Sequence, residues 1–302
     1  MIVVGRLRPG TLLDGRFRVH AVLDQRDGIA RYAAHHLSLA RAVWLEVLEP
    51  GCAVEPRLHQ RFVQGIRLAT RLGHHRGIAP VLDYGEVKQD GVVCPFAVIP
   101  YQGGQSLAQR IDERGPASVQ EAVAVLDSLL GALQHAHSHG VVHRRVGPPN
   151  LYLVPERGGG EVPRLTGFGT SSLLGATPSE KLLVAGPTIA PEQLLGERID
   201  GRTDLYAVAA TAFRMLTGEP LFAQVFGQRD LAQAVVRTAP PSARFLRPDL
   251  PRALDEWIEQ GLRKRPDERF ASAEEMRAAL LAIRPPSAAS LRPTEPARQT
   301  TR

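Results

Sequence analysis

The sequence predicts an α+β protein with a small antiparallel β-sheet lobe that holds one main helix, followed by a larger, mainly helical lobe. The first hundred residues contain short, alternating apolar runs separated by turn residues, a pattern typical of strands. After Gly103 and Gly104 the apolar residues recur every three or four positions, as in helices. Of the 302 residues, 43% are hydrophobic, which is ample for a buried core.

The small lobe is predicted to contain five strands and one main helix. Residues 56–72 form the helix, because Phe62, Ile66, Ala69 and Leu72 recur at helical spacing. The strands are predicted over residues 16–23, 31–34, 42–48, 78–84 and 92–99.

The large lobe is predicted to be mostly helical. One helix stops before Gly140, and the last begins after Ser272, where Glu275 three residues later completes a capping signature. A loop rich in Ser, Thr and Gly covers residues 166–186. The predicted helices are residues 106–114, 119–138, 204–216, 231–237, 254–261 and 273–283, and the predicted strands are residues 151–154 and 162–165.

These elements divide the chain into four parts. Residues 1–11 are a lead-in, residues 12–102 form the small lobe and residues 103–283 form the large lobe. Residues 284–302 are rich in Pro, Ala and Arg and lack the apolar content needed to order themselves, so a disordered tail is expected there.

Charge and cysteine usage exclude several classes of function. The net charge of +6 comes from scattered arginines with no dense basic helix, so nucleic-acid binding is not expected. Cys52 and Cys94 match no metal motif or disulfide framework, which favours a cytoplasmic location. No run of about 18 apolar residues indicates a membrane span. The histidines have no carboxylate or thiol at ligand spacing, so no metal is expected.

Five strings in the second half of the chain resemble known motifs, and their order and separation are more specific than any one of them. They are VVHRRVGPPNLYLV at 141–154, LTGFG at 165–169, APE at 190–192, TDLY at 203–206 and RPDERF at 265–270.

In this order the strings resemble the bacterial serine/threonine (Hanks-type) protein kinase family. The resemblance covers residues 12–283 and implies the bilobal fold of that family. The first string is similar to the catalytic loop HRDxKPxN, with His143, Arg144, Pro148 and Asn150 at matching places, and the second is similar to the DFG turn.

The resemblance also assigns structural roles to five residues. His143 and Phe168 match a histidine and a phenylalanine that stack in a hydrophobic column between the lobes. Asp204 matches the aspartate that fixes the backbone of the catalytic loop. Glu192 and Arg269 match an ion pair that joins the APE string to the late RPDERF string.

The places that carry chemistry in the family hold other residues here. Arg145 stands at the catalytic aspartate, and an arginine cannot accept a proton. Gly147 stands at the loop lysine, and Gly167 stands at the DFG aspartate that binds magnesium. Asn150 is retained, but one neutral amide does not hold a hard cation that prefers carboxylates.

The small lobe departs from the family in the same way. The string VWLEVL resembles VAIKVL and places Glu46 at the lysine that holds the ATP phosphates, which reverses the charge there. Gly65 stands at the glutamate that pairs with that lysine. Arg26 or Arg31 remains an alternative source of the missing positive charge.

The expected nucleotide pocket is blocked as well as altered. Trp44 replaces a small alanine that roofs the adenine, and Arg31 replaces the valine beside it. The three glycine places of the phosphate loop hold Asp24, Arg26 and Ile29, whose side chains keep backbone N–H groups away from phosphate.

The resemblance with these replacements predicts a catalytically inactive kinase-like domain, a pseudokinase that is not an enzyme and uses no cofactor. Its expected role is that of a protein-binding scaffold or allosteric regulator, with an active kinase or a signalling complex as partner. The large lobe and residues 166–191 are the expected docking surfaces. An ATP-binding but inactive switch, a weak serine/threonine kinase and nucleotidyl transfer on this fold remain alternatives.

Overall fold

The computed structural model describes residues 7–26, 28–156, 158–170 and 188–283. The small lobe is built on a six-stranded antiparallel sheet with strand order β1-β2-β3-β4-β6-β5. The strands are β1 (Leu12–Leu13), β2 (Phe17–Arg26), β3 (Ile29–His36), β4 (Arg41–Leu48), β5 (Asp83–Gln89) and β6 (Val92–Pro100).

The pairing of β3 with β4 gives the sheet two different faces. Arg31 lies opposite Glu46 and Ala33 lies opposite Trp44. Because successive side chains point to opposite faces, these four residues share the face turned away from the small-lobe core. The intervening residues of both strands join that buried apolar core.

Two helices follow β4, and only the second has more than one turn. They are α1 (Pro50–Ala53) and α2 (Pro56–Ala69), and a 3₁₀ turn over Thr70–Leu72 continues the second. The helix predicted over residues 56–72 is therefore present, with a tighter last turn. Phe62 and Ile66 of α2 pack into the small-lobe core.

The strand predicted over residues 78–84 is wrong. Ile78 and Ala79 are buried, but Ile78 forms only an isolated bridge with Leu165, and β5 begins at Asp83. The apolar residues reflect burial between the two lobes, since the backbone N–H of Ala79 bonds the Leu165 carbonyl at 3.0 Å. Pro80 follows and has no N–H to continue a ladder.

The large lobe contains a small sheet and eight helices within the described residues. Its strands, in the order β7-β8-β9, are β7 (Gln105–Ser106), β8 (Leu151–Pro155) and β9 (Glu161–Leu165). The helices are α3 (Leu107–Arg114), α4 (Val119–Ser138), α5 (Pro191–Leu195), α6 (Gly201–Thr217), α7 (Gln228–Arg237), α8 (Ala243–Leu246), α9 (Arg252–Gly261) and α10 (Ala273–Ala282).

The core of the large lobe surrounds α6. Almost every side chain from Thr203 to Leu216 is buried, so this helix is apolar all round rather than amphipathic. The helix α4 has the predicted bounds, and α10 starts at the predicted Ser272 cap, whose hydroxyl accepts from the Glu275 N–H at 3.1 Å. Sequence patterns missed α5 and α8 because each is too short for a periodic signal.

Several predictions fall outside the described residues. They concern most of the loop at 166–186, including the docking surface expected there, and the tail at 284–302. Within the described ranges, no helix combines the length and the apolar character needed to span a bilayer.

Candidate functional site

Arg31 and Glu46, two of the residues that depart from the family pattern, form a buried ion pair between the lobes. Arg31 on β3 donates from Nη2 and Nε to Oε1 of Glu46 on β4, at 2.8 and 3.1 Å. Glu46 is 2% exposed and Arg31 is 5% exposed. The carboxylate of Glu46, which the resemblance places at the family's lysine, is thus neutralised by Arg31.

The second oxygen of Glu46 reaches the large lobe. The hydroxyl of Thr170 donates to Glu46 Oε2 at 2.6 Å and lies 3.2 Å from the Gly167 carbonyl oxygen. Thr170 itself is buried. The hydrogen bond joins the small-lobe sheet to the turn that resembles DFG, across 124 residues of sequence.

Arg31 makes two further polar contacts that extend this network. Its Nη1 lies 3.4 Å from Asp24 Oδ2 and 3.3 Å from the hydroxyl of Tyr152 on β8. Burial alone lowers the pKa of Arg31, but the nearby carboxylates of Glu46 and Asp24 outweigh it and raise that pKa. Arg31 therefore remains a cation in the cleft and links three strands.

Trp44 lies beside the network and is 4% exposed. Its ring packs edge-on against Tyr152, with centroids 4.8 Å apart, and against Tyr101, with centroids 5.8 Å apart. The Arg31 guanidinium stands 5.5 Å from the Trp44 ring centroid. The indole thus contacts both the segment that connects the lobes and a strand of the large lobe. Blockage of an adenine pocket by Trp44 and Arg31 stays a prediction.

The helix α2 packs directly on the turn that resembles DFG. Gly65 is buried on α2, and a Cβ placed on Gly169 would lie 2.5 Å from the Gly65 carbonyl oxygen. Gly169 also has a φ of +89°, which disfavours side chains. The backbones of α2 and of this turn therefore approach closely at Gly65 and Gly169.

Replacing Gly169 with alanine is expected to destabilise the protein by about 1–2 kcal/mol from its left-handed backbone and about 1–3 kcal/mol more from overlap with α2. Gly196→Ala is the matched control, because Gly196 has a φ of +68° and open space around it. Chemical denaturation of both variants measures the difference. Equal losses would contradict tight packing at Gly169.

The loop that resembles HRDxKPxN is held by Asp204 of α6. Its buried carboxylate accepts the backbone N–H groups of His143, at 2.8 Å, and Arg144, at 2.6 Å. His137 Nε2 lies 2.8 Å from the same carboxylate. Arg144 adopts a φ of +67°, an uncommon conformation that these bonds hold in place. The structural role predicted for Asp204 fits this geometry.

His143 and Phe168 are in contact, as the resemblance implies. Their ring centroids are 4.5 Å apart and nearly perpendicular. His143 Nε2 lies 2.9 Å from the Thr166 carbonyl oxygen, and its Nδ1 accepts the Arg145 N–H at 3.2 Å. Burial lowers the pKa of His143, which favours the neutral ring that these bonds require.

The residues in this cleft do not fit magnesium-bound ATP in the arrangement that the resemblance implies. Gly167 offers no carboxylate to a metal, and the Asn150 side-chain amide donates to the Arg145 carbonyl at 2.9 Å. At the phosphate-binding place, Glu46 is already bound to Arg31 and Thr170. Within the described residues, no group of three or more His, Cys, Asp or Glu side chains is arranged to hold a metal ion.

A second buried ion pair supports the large lobe. Arg269 donates from Nη1 and Nη2 to the two carboxylate oxygens of Glu192, each at 2.8 Å, and both side chains are almost fully buried. Thr203 adds a hydrogen bond to Glu192 at 2.7 Å. The remaining Arg269 donors bind backbone carbonyls at Arg202, Arg263 and Lys264. The predicted partners therefore meet with their polar groups satisfied.

Sequence reasoning missed three members of the cleft network. The sequence places Asp24 only at a replaced glycine, and it gives Tyr152 and Thr170 no role in the cleft. The Arg31–Glu46 pair had a usable signal, because two neighbouring strands place these residues opposite each other. The sequence holds no such signal for Tyr152 and Thr170, since each is more than 100 residues from its partner, Arg31 or Glu46.

Comparison with known proteins gives a consistent result. Residues 54–280 match the protein kinase domain family. The DNA damage-responsive serine/threonine-protein kinase RqkA of Deinococcus radiodurans is 35% identical over 87% of this chain and 39% of its own length. The serine/threonine-protein kinase PknA of Mycobacterium tuberculosis is 31% identical over 96% of this chain and 65% of its own length.

A solved structure extends the similarity to the fold. The crystal structure of the PknI kinase domain from Mycobacterium tuberculosis has a TM-score of 0.71 at 29% identity, covering 91% of this chain and 99% of that one. The predicted bilobal α+β fold is confirmed.

The expectation that the chain is not an enzyme is wrong. Relatives at about 30% identity over most of the chain are named serine/threonine-protein kinases, which are enzymes.

Proposed function

Because this chain belongs to the protein kinase family, we propose that it acts in signalling as a regulatory domain that binds partner proteins. The partner class we favour is an active serine/threonine kinase or a complex that contains one. The domain contacts its partner through the large lobe, which presents a folded surface independent of the cleft.

One observation carries this proposal. The Glu46 carboxylate, which the resemblance places where the family has its phosphate-binding lysine, has its two oxygens bound by Arg31 and Thr170. A phosphate entering there meets a buried carboxylate and must displace that ion pair, which is costly. The same network joins the small lobe to the turn that resembles DFG, which supports a domain of fixed shape that a partner can recognise.

The ordered frame around the cleft supports the same proposal. The bonds of Asp204 to the loop and the Glu192–Arg269 pair give the large lobe a defined shape. A defined surface is what recognition by a partner needs. The chain spans about half of the first curated relatives' length, at 51%, 43% and 38%, so the proposal concerns this domain alone.

Weak serine/threonine phosphotransfer is the second candidate function. It is favoured by the kinase relatives and by the retained loop, in which His143 and Asn150 keep their places and Asp204 binds the backbone. On this candidate, Arg31 stays available as the alternative cation once its bonds to Glu46 are broken.

The test compares the wild type with a double variant, Arg31→Val with Glu46→Lys, that restores the residue types of the family at the cleft. Thermal melts are recorded with ATP, with and without magnesium. We expect ATP to leave the wild-type melting temperature unchanged and to raise that of the double variant. Equal stabilisation of both proteins would contradict a cleft closed by the ion pair.

Two further measurements separate the candidates. Label transfer from ATP by the wild type that disappears in Asn150→Ala would establish the second candidate. Interferometry against purified active serine/threonine kinases of the same genome tests the first. Saturable binding that is retained in the Arg31→Val and Glu46→Lys double variant supports it, and the absence of binding to any of them contradicts it.

A further inference from the structure

A cavity outside the cleft between the lobes lies where the end of α7 meets the end of α9. Its volume is about 370 Å³. The ionisable side chains that line it are Arg237, Glu259, Arg263, Lys264 and Glu268. Arg237, Arg263 and Glu268 are exposed, so the cavity is open to solvent.

Lys264 forms the inner wall of this cavity. Its Nζ donates to the Val235 carbonyl at 2.6 Å and lies 3.4 Å from the Ala234 carbonyl oxygen, which caps the last turn of α7. The ammonium also stands 5.2 Å from the centroid of the Phe222 ring. An ammonium has three N–H donors, so one N–H remains for a ligand after two have bonded to these carbonyls.

The surroundings of Lys264 disfavour its charged form. Burial, assisted by the charge of Arg269, lowers this pKa to about 8. Arg269 is already paired with Glu192, and no carboxylate lies within ion-pair distance of Lys264 in the described part of the chain.

The two arginines of the lining are available for a ligand. Within residues 7–26, 28–156, 158–170 and 188–283, neither the Arg237 nor the Arg263 side chain has a hydrogen bond or ion pair, although Glu259 lines the same cavity. Glu268 lies 3.6 Å from Arg265, which is outside the lining and pairs more closely with Asp267, at 2.8 Å. The ionisable lining thus consists of three cations and two carboxylates, and its formal charge is positive.

We propose that this cavity binds a phosphate monoester dianion, held by Arg237, Arg263 and Lys264. Two guanidinium groups and an ammonium supply the charge-assisted donors that a tetrahedral phosphate accepts. The volume admits the phosphate together with the side chain that carries it. The proposal concerns a surface separate from the cleft and does not depend on the function proposed above.

The first experiment uses calorimetric titration with inorganic phosphate, sulfate and a phosphoserine peptide, each beside the unphosphorylated peptide. We expect phosphate-dependent binding of the phosphopeptide, reduced about tenfold or more by Arg237→Gln and by Arg263→Gln. Arg252→Gln is the matched control, since Arg252 is exposed on α9 and outside the cavity. Binding of inorganic phosphate but not of the phosphopeptide would identify a free anion as the ligand and overturn the proposal of a phosphate monoester.

The second experiment uses the titration of Lys264. Deprotonation removes one positive charge, so affinity is expected to fall as the pH rises through about 8, and Lys264→Arg should abolish that fall. The charged groups facing Lys264 are Arg237 of α7, Glu259 of α9, and Arg263, Glu268 and Arg269 of the following turn. Absence of phosphate-dependent binding, or equal binding by the arginine variants and Arg252→Gln, would overturn the proposal.

Discussion

Replacing Glu192 with alanine is expected to destabilise the large lobe by about 3–5 kcal/mol, one of the two largest effects that the structure predicts. The Arg269 guanidinium would remain fully buried after the loss of its carboxylate partner. Its bonds to three backbone carbonyls would persist, but carbonyl dipoles do not neutralise a buried charge. Thr203 would also lose its acceptor.

Thermal and chemical denaturation measure this effect. A loss of this size corresponds to a fall in melting temperature of roughly 6–20 °C for a lobe of this length. Glu256→Ala is the control, because Glu256 pairs with Arg252 on the surface, where an ion pair contributes less than about 1 kcal/mol. A melting temperature of Glu192→Ala within about one degree of the wild type would contradict the prediction, since that shift corresponds to well under 1 kcal/mol.

Replacing Glu46 with leucine is expected to cost nearly as much, about 3–5 kcal/mol, because Arg31 would then be buried without its main partner. Asp24 and Tyr152 lie 3.4 and 3.3 Å from the same guanidinium and compensate only in part. Thr170 would keep its contact with the Gly167 carbonyl oxygen.

A double-mutant cycle separates the interaction energy between Arg31 and Glu46 from the effect of each substitution alone. Arg31→Met with Glu46→Leu removes both charges and keeps apolar volume, so the double variant is expected to be more stable than either single variant and close to the wild type. The fluorescence of Trp44, measured in a Trp257→Phe background, reports whether the cleft keeps its packing. Additive losses in the cycle would show that Arg31 and Glu46 do not act as a pair.

Helices of the large lobe could be predicted from local pattern, and its structural residues from the family resemblance. In α4 the apolar residues recur over the whole length of the helix. Ser272 caps α10 and is adjacent to it in sequence, so its signal is also local. The resemblance identified Asp204, Glu192 and Arg269 because they stand in strings whose order and separation match the family. The structure places all three in buried contacts.

The strand wrongly predicted over residues 78–84 shows the limit of such patterns. Burial of Ile78 and Ala79 between the lobes leaves the same apolar signature as burial in a sheet. A short apolar run does not reveal which surface covers it.

By itself, the sequence determined the fold, the places where charges are replaced, and the network that holds the large lobe. Only the tertiary structure decided what the replaced residues do. In the sequence, Glu46 indicates only that a cation is missing. In the structure it is a buried anion between the lobes, bound to Arg31 and Thr170. The close approach of Gly65 and Gly169 is likewise visible only in the tertiary structure. Both depend on how two lobes pack, and contacts between distant segments leave no periodic trace in either segment.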